Sequence, residues 1–147
     1  MKLKIAICDA DASQRDSLAD TVLAWARQNR HLAELMPYKS AGAFLFDYEQ
    51  KKDFDILLLD VEMPEMSGIE LAKLIRKENR AVQIIFITGY YEYFSDGFDV
   101  SALHYLIKPV DGGKLHPVLD RAAANLRDRE RAVFVSTAEG EFKVLLA

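Results

Sequence analysis

Short, nearly unbroken apolar runs recur at residues 3–8, 55–59, 82–87 and 103–107, with stretches of helical periodicity between them. Runs that are apolar at almost every position suit strands buried on both faces, the environment of a parallel sheet covered by helices. Between the first two runs lie an amphipathic helix with Leu18, Val22 and Trp25 on one face, a weaker strand over 34–38, and a short helix through Phe44 and Leu45. Ser67 followed by Glu70 is a capping-box signature, and it starts the helix that carries Leu71, Leu74 and Ile75. A short helix over 91–98 and a last one with Leu115, Val118, Leu119, Ala122 and Leu126 complete five βα units. Right-handed crossovers, with helices on both faces, make an α/β fold with a doubly wound, five-stranded parallel sheet the economical solution.

Composition narrows the function classes. The chain has 147 residues, material for one domain, with 23 Asp and Glu against 19 Lys and Arg, a net charge of -4. Dispersed basic residues on an acidic chain argue against a nucleic-acid surface, which needs a basic stripe. The one cysteine, Cys8, sits among apolar neighbours and reads as a small buried hydrophobe, so no internal disulfide and no thiolate metal cage can be built. His31, His104 and His116 lack ligand spacing. No run approaches the ~18 apolar residues of a membrane span, and the apolar start is too short for a signal peptide, so the expectation is a soluble, cytoplasmic protein that does not enter a membrane.

In doubly wound sheets ligands bind just past the carboxyl ends of the strands. There the chain places Asp9 and Asp11 after the first strand, Asp60 after the third, Thr88 after the fourth and Lys108, before Pro109, after the fifth. Three carboxylates on one rim repel unless a cation or the ammonium compensates. Oxygen-only ligands suit Mg²⁺, which keeps several waters and is held by one or two carboxylates plus a phosphate. The rim therefore reads as a magnesium-assisted phosphoryl site.

These residues carry a resemblance. Asp60-Val61-Glu62-Met63-Pro64-Glu65-Met66-Ser67-Gly68, together with Thr88 and Lys108-Pro109, resembles the receiver domain of bacterial two-component response regulators over residues 1–130. The resemblance implies a flavodoxin-like (βα)5 receiver with strand order 2-1-3-4-5. It implies that Asp60 accepts a phosphoryl group from a sensor histidine kinase, with Lys108 and Thr88 bonding phosphate oxygens. Asp9, Asp60 and the backbone carbonyl of Glu62 would hold Mg²⁺, the Lys108–Pro109 bond would be cis, and Tyr105 would be the switch aromatic that answers to Thr88. A half-exposed strand tyrosine is the plain alternative for Tyr105.

One position departs from the family. Receivers have two adjacent acids after the first strand, whereas this chain reads Asp9-Ala10-Asp11, so Ala10 stands where a direct metal ligand is usual. Asp11 is either a substitute ligand or a helix N-cap, with Gln14 at the capping-box position. Ala10 thus predicts weak Mg²⁺ binding, and it favours a receiver-like module that works without phosphate. A phosphohydrolase of the haloacid-dehalogenase type is a further alternative, with Asp9 as nucleophile and Asp11 as general acid/base, but it leaves the Asp60-to-Gly68 motif idle.

Acidic Glu92, Asp96 and Asp99 near the fourth helix and basic Lys114, Arg121, Arg127 and Arg129 on the last could pair across a homodimer built on the fourth helix, fifth strand and fifth helix. Tyr90, Tyr91, Tyr93, Phe94 and Phe98 read as core and helix surface, with a docking face among them. Residues 131–147 read as a linker and the truncated start of a C-terminal domain. The apolar runs at 133–135 and 142–146 suggest a hairpin resembling the opening of a LytTR-type DNA-binding domain. DNA would then be met only through a domain beyond this chain.

Overall fold

In the computed structural model, which describes residues 1–139, β1 (Lys2–Cys8), β2 (Leu32–Tyr38), β3 (Ile56–Leu59), β4 (Gln83–Thr88) and β5 (His104–Ile107) form one parallel sheet in the order 2-1-3-4-5. The helices are α1 (Ala12–Gln28), α2 (Ala41–Tyr48), α3 (Gly68–Arg76), α4 (Phe94–Asp99) and α5 (Gly112–Glu139). The expected topology is thus the one observed.

The strands are apolar at nearly every position because alternate residues feed two separate cores. Leu3, Ile5, Ile7, Ile56, Leu58, Ile85 and Ile87 face α1 and α5, meeting Val22, Trp25, Leu115 and Leu119. Ala6, Cys8, Leu57, Leu59, Ile84 and Phe86 face the other way, onto Phe44 and Tyr48 of α2 and Leu71 and Ile75 of α3. The fully buried Trp25 ring needs a partner for its N–H and finds Asp120 Oδ1 on α5 at 2.8 Å, which ties the first and last helices together.

Three elements differ from expectation. β2 begins two residues earlier than residue 34; it pairs only with β1, and as an edge strand it tolerates Pro37 and exposed side chains that blur its pattern. The helix expected over 91–98 is Phe94–Asp99, residues 91–93 forming the turn that precedes it, with Tyr93 at the N-cap making no side-chain bond. Residues 133–135 are helical, not the first strand of a hairpin: no Gly or Pro interrupts the chain between Arg121 and Glu139, and the helical cost of β-branched residues is only a few tenths of a kcal/mol each. The second run of that hairpin, 142–146, lies outside the described residues.

Candidate functional site

The parallel register delivers the strand ends to one rim. Cys8 pairs with Leu59, and Thr88 with Ile107, so the residues that follow, Asp9, Asp60 and Lys108, come together. The Lys108 Nζ donates to Asp9 Oδ2 at 2.7 Å and to Asp60 Oδ2 at 2.9 Å, bridging two buried carboxylates. Burial by itself would lower the Lys108 pKa; the bonds and charges of Asp9 and Asp60 outweigh it and hold the ammonium above its ordinary value. The Lys108–Pro109 bond is cis.

Each carboxylate is fixed by local backbone. Asp9 Oδ1 accepts from the Asp11 N–H at 2.9 Å, and the Arg15 guanidinium, one helical turn into α1, donates to the Asp9 carbonyl at 2.7 Å. Asp60 Oδ1 accepts from the Glu62 N–H at 3.3 Å. After Asp60 the chain turns back so that the Gly68 N–H reaches the Val61 carbonyl at 2.9 Å, and the capping box of Ser67 and Glu70 launches α3. A Cβ at Gly68 would stand 2.0 Å from the Asp60 carbonyl oxygen, which is why this turn requires glycine.

Asp11 does not join the other two acids. Its Oδ1 accepts the Gln14 N–H at 3.1 Å, satisfying one of the orphan donors of the first turn of α1. The capping box is half-formed, since the Asp11 N–H is already taken by Asp9. Among the described residues no three His, Cys, Asp or Glu side chains gather as a metal cage. Lys108 therefore gathers two carboxylates, Asp9 and Asp60, while Ala10, Asp11 and Glu62 line the open cleft around them.

Thr88 is fully buried, and its Oγ1 is the one side-chain polar atom among the described residues that is buried without a hydrogen-bond partner. A hydroxyl desolvated at a strand end costs stability, so an unpaired one marks a place where an incoming oxygen would be welcome. Two residues on, the Tyr90 carbonyl accepts from the Tyr105 hydroxyl. Tyr105 is buried against Phe86 and Phe94, so it is not the half-exposed strand tyrosine that was its alternative. Its phenol is pushed up to about 12, by burial first and by the charge of Glu92 second. Tyr38 is raised too, by burial and its bond to Asp47. Both folded values lie above the unfolded ~10. This contribution to stability is therefore complete below pH ~10 and is lost as pH rises through the folded values. A spectrophotometric alkaline titration should show Tyr38 and Tyr105 ionising late; a curve matching the unfolded chain for every tyrosine would contradict this.

The open cleft over the rim, about 530 Å³, is lined by Asp9, Asp11, Asp60, Glu62 and Lys108 together with Gln14, which the sequence marked only as a cap partner, and Tyr90, which it marked only as core or helix surface. Arg15 was missed as well, because its contact is to a main-chain carbonyl and no spacing rule reveals it. On the far side of β5, Tyr91, Phe94 and Phe98 are exposed, so this aromatic group is surface more than core.

Comparison with known proteins names the family of this doubly wound sheet with its lysine-bridged acid pair at the carboxyl edge. The model of the response regulator receiver domain matches residues 5–120, and the chain belongs to that family. It is 31% identical over 126 residues to the sensory transduction protein LytT of Bacillus subtilis, covering 86% of this chain and 50% of that protein. It is 44% identical over 69 residues to the transcriptional regulatory protein NatR of the same organism, covering 47% of this chain and 30% of NatR. The chain thus spans half or less of these regulators' length. Such relatives place it among receivers of the LytTR type. Among solved structures, the response regulator TrrA of Thermotoga maritima in complex with Mg²⁺-BeF shares the fold, with a TM-score of 0.68 at 24% identity, over 82% of this chain and 98% of that one. Among the described residues, no helix is long and apolar enough to cross a membrane.

Proposed function

We propose that Asp60 is the phosphoacceptor of this receiver, taking a phosphoryl group from the phosphohistidine of a sensor histidine kinase. The observation that carries the reading is the single ammonium of Lys108 bonded at once to Asp60 and Asp9, beside the unpartnered hydroxyl of Thr88. A carboxylate oxygen of Asp60 attacks phosphorus, the P–N bond to the kinase histidine breaks and a P–O bond forms. Lys108 then pairs with one phosphoryl oxygen, and Thr88 donates to another. The hard-oxygen donors fit a divalent ion: Asp9, Asp60 and the Glu62 carbonyl would hold Mg²⁺, which neutralises charge on the transferring oxygens. Asp11 caps α1 through Oδ1 and lines the same cleft, so Oδ2 is the oxygen it could offer a metal.

Filling the Thr88 position draws on the loop through Tyr90, and Tyr105 follows because its hydroxyl is tied there, which couples the rim to β5 and α4. The exposed aromatic residues beside β5 and the opposite charges near α4 and on α5 support a homodimer through these elements. The receiver proper would end near residue 130, with residues 131–147 leading to a LytTR-type DNA-binding domain that controls transcription in the cytoplasm. The domain is a phosphorelay switch, not an enzyme; the phosphohydrolase reading would leave the Asp60-to-Gly68 turn without a role.

A second reading, a receiver that signals without phosphate, is favoured by Ala10. Beryllofluoride, a phosphoryl mimic, separates the two. With Mg²⁺ it should shift the amide resonances of Thr88, Gly89, Tyr105 and Lys108 in the wild type but not in Asp60→Asn. No response at saturating Mg²⁺ would select the phosphate-independent module.

A further inference from the structure

At the opposite end of the sheet from the carboxylate rim, a cleft of about 390 Å³ opens between the end of α3, the start of β4 and the middle of α5. Arg76, Arg80, Arg121 and Arg129 line it, with the amides of Gln83 and Asn125, and among the described residues no carboxylate does. Four arginines converging without an acid is unexpected on a chain of net charge -4. None of the four takes part in a salt bridge among the described residues.

The site is held in shape by its own residues. Arg76 donates to the carbonyls of Val100 at 2.7 Å, Val82 at 2.7 Å, Asn79 at 3.2 Å and Ser101 at 3.2 Å, which locks its guanidinium without neutralising it. Burial, and then the charges of Arg129 and Arg80, lower the Arg76 pKa, so the guanidinium groups lie close enough to repel one another. On α5, Arg121, Asn125 and Arg129 follow at four-residue steps and share one face. Asn125 Nδ2 donates to Oε1 of the buried Gln83 at 2.8 Å, which pins that face against β4.

The geometry points to a binding site for a small anion carrying two or more phosphate groups, held between Arg80 on one wall and Arg121 and Arg129 on the other, with Arg76, four of whose five N–H donors are committed to carbonyls, adding positive charge. Guanidinium forks match phosphate oxygens in pairs, and the volume lies within the range of small-molecule pockets. More than one phosphate is needed because one such group would leave most of the four positive charges unmatched. Since α5 forms one wall, occupancy would fasten this helix to the end of α3 independently of the phosphoacceptor rim.

The test is a titration of the whole chain with inorganic pyrophosphate, and separately with a nucleoside diphosphate, in physiological salt without Mg²⁺, followed by amide and arginine Nε resonances. Saturable shifts at Arg76, Arg80, Ser101, Arg121, Asn125 and Arg129 are expected. The double substitution Arg80→Gln with Arg129→Gln changes two exposed side chains and should weaken binding roughly tenfold or more. Tighter binding of the nucleotide assigns an organic diphosphate, and equal binding the inorganic anion. Shifts confined to Asp9, Asp60 and Lys108, affinity unchanged in the double variant, or no saturable binding would overturn the proposal. So would a double variant that altered only self-association, since the cleft would then be an interface between copies.

Discussion

Lys108→Met is expected to destabilise the domain at neutral pH by about 3 kcal/mol, the lower end of the cost of breaking a buried ion pair because the cleft admits water. Without the ammonium, Asp9 and Asp60 face each other as two buried, uncompensated carboxylates. Their mutual repulsion is what the bridging ammonium offsets. In the wild type the shifted group is Lys108 itself, whose folded pKa is raised. Its contribution is complete below the unfolded lysine value and is lost only as pH rises through the folded one. Urea denaturation of both proteins at neutral pH reads the difference. Mg²⁺ should restore part of the variant's stability by standing in for the lost charge. A variant as stable as the wild type at neutral pH would mean that the bridge holds nothing together.

Gly68→Ala should be nearly as damaging, and for a steric reason. Its Cβ meets the Asp60 carbonyl oxygen at 2.0 Å and the carbonyl carbon at 2.9 Å, both main-chain atoms with no rotamer to escape into. Backbone overpacking of this kind costs about 3 kcal/mol or more. The displaced atoms belong to the proposed phosphoacceptor, so phosphoryl uptake should fall along with stability. Gly42→Ala is the matched control: a Cβ there meets nothing within 4 Å, and the residue lies within α2. That change should be neutral or stabilise by about 0.5–1 kcal/mol. Equal effects at the two glycines would refute the close-approach account.

These two residues show how unevenly the sequence reveals the site. Gly68 belongs to a contiguous motif, and its register after Asp60 can be read without a structure, as can the strand ends, because runs apolar on both faces have few places to go. Lys108 was legible because the strand-end rule gathers residues that are distant in sequence. The split between Asp9 and Asp11 was not. Both are acids at the same strand end, and only the geometry of the first turn of α1 sends one to the lysine and the other to a cap. Likewise, nothing in residues 133–135 announces helix over strand, since Val and Phe serve either and the outcome rests on the uninterrupted helix before them. Arg76, at the end of α3, holds four carbonyls from the two loops that precede β4 and β5. Contacts between side chain and backbone across a fold leave no periodic trace, and most of what the sequence hid here is of that type.

The central claim is that Asp60 takes the phosphoryl group, and the most direct measurement is to expose the chain to a small phosphodonor with Mg²⁺ and locate the added phosphate by peptide mass spectrometry. The account predicts one phosphoryl group on the peptide containing Asp60, dependent on Mg²⁺ and absent in Asp60→Asn. Label on Asp9, or none at any Mg²⁺ concentration, would contradict it.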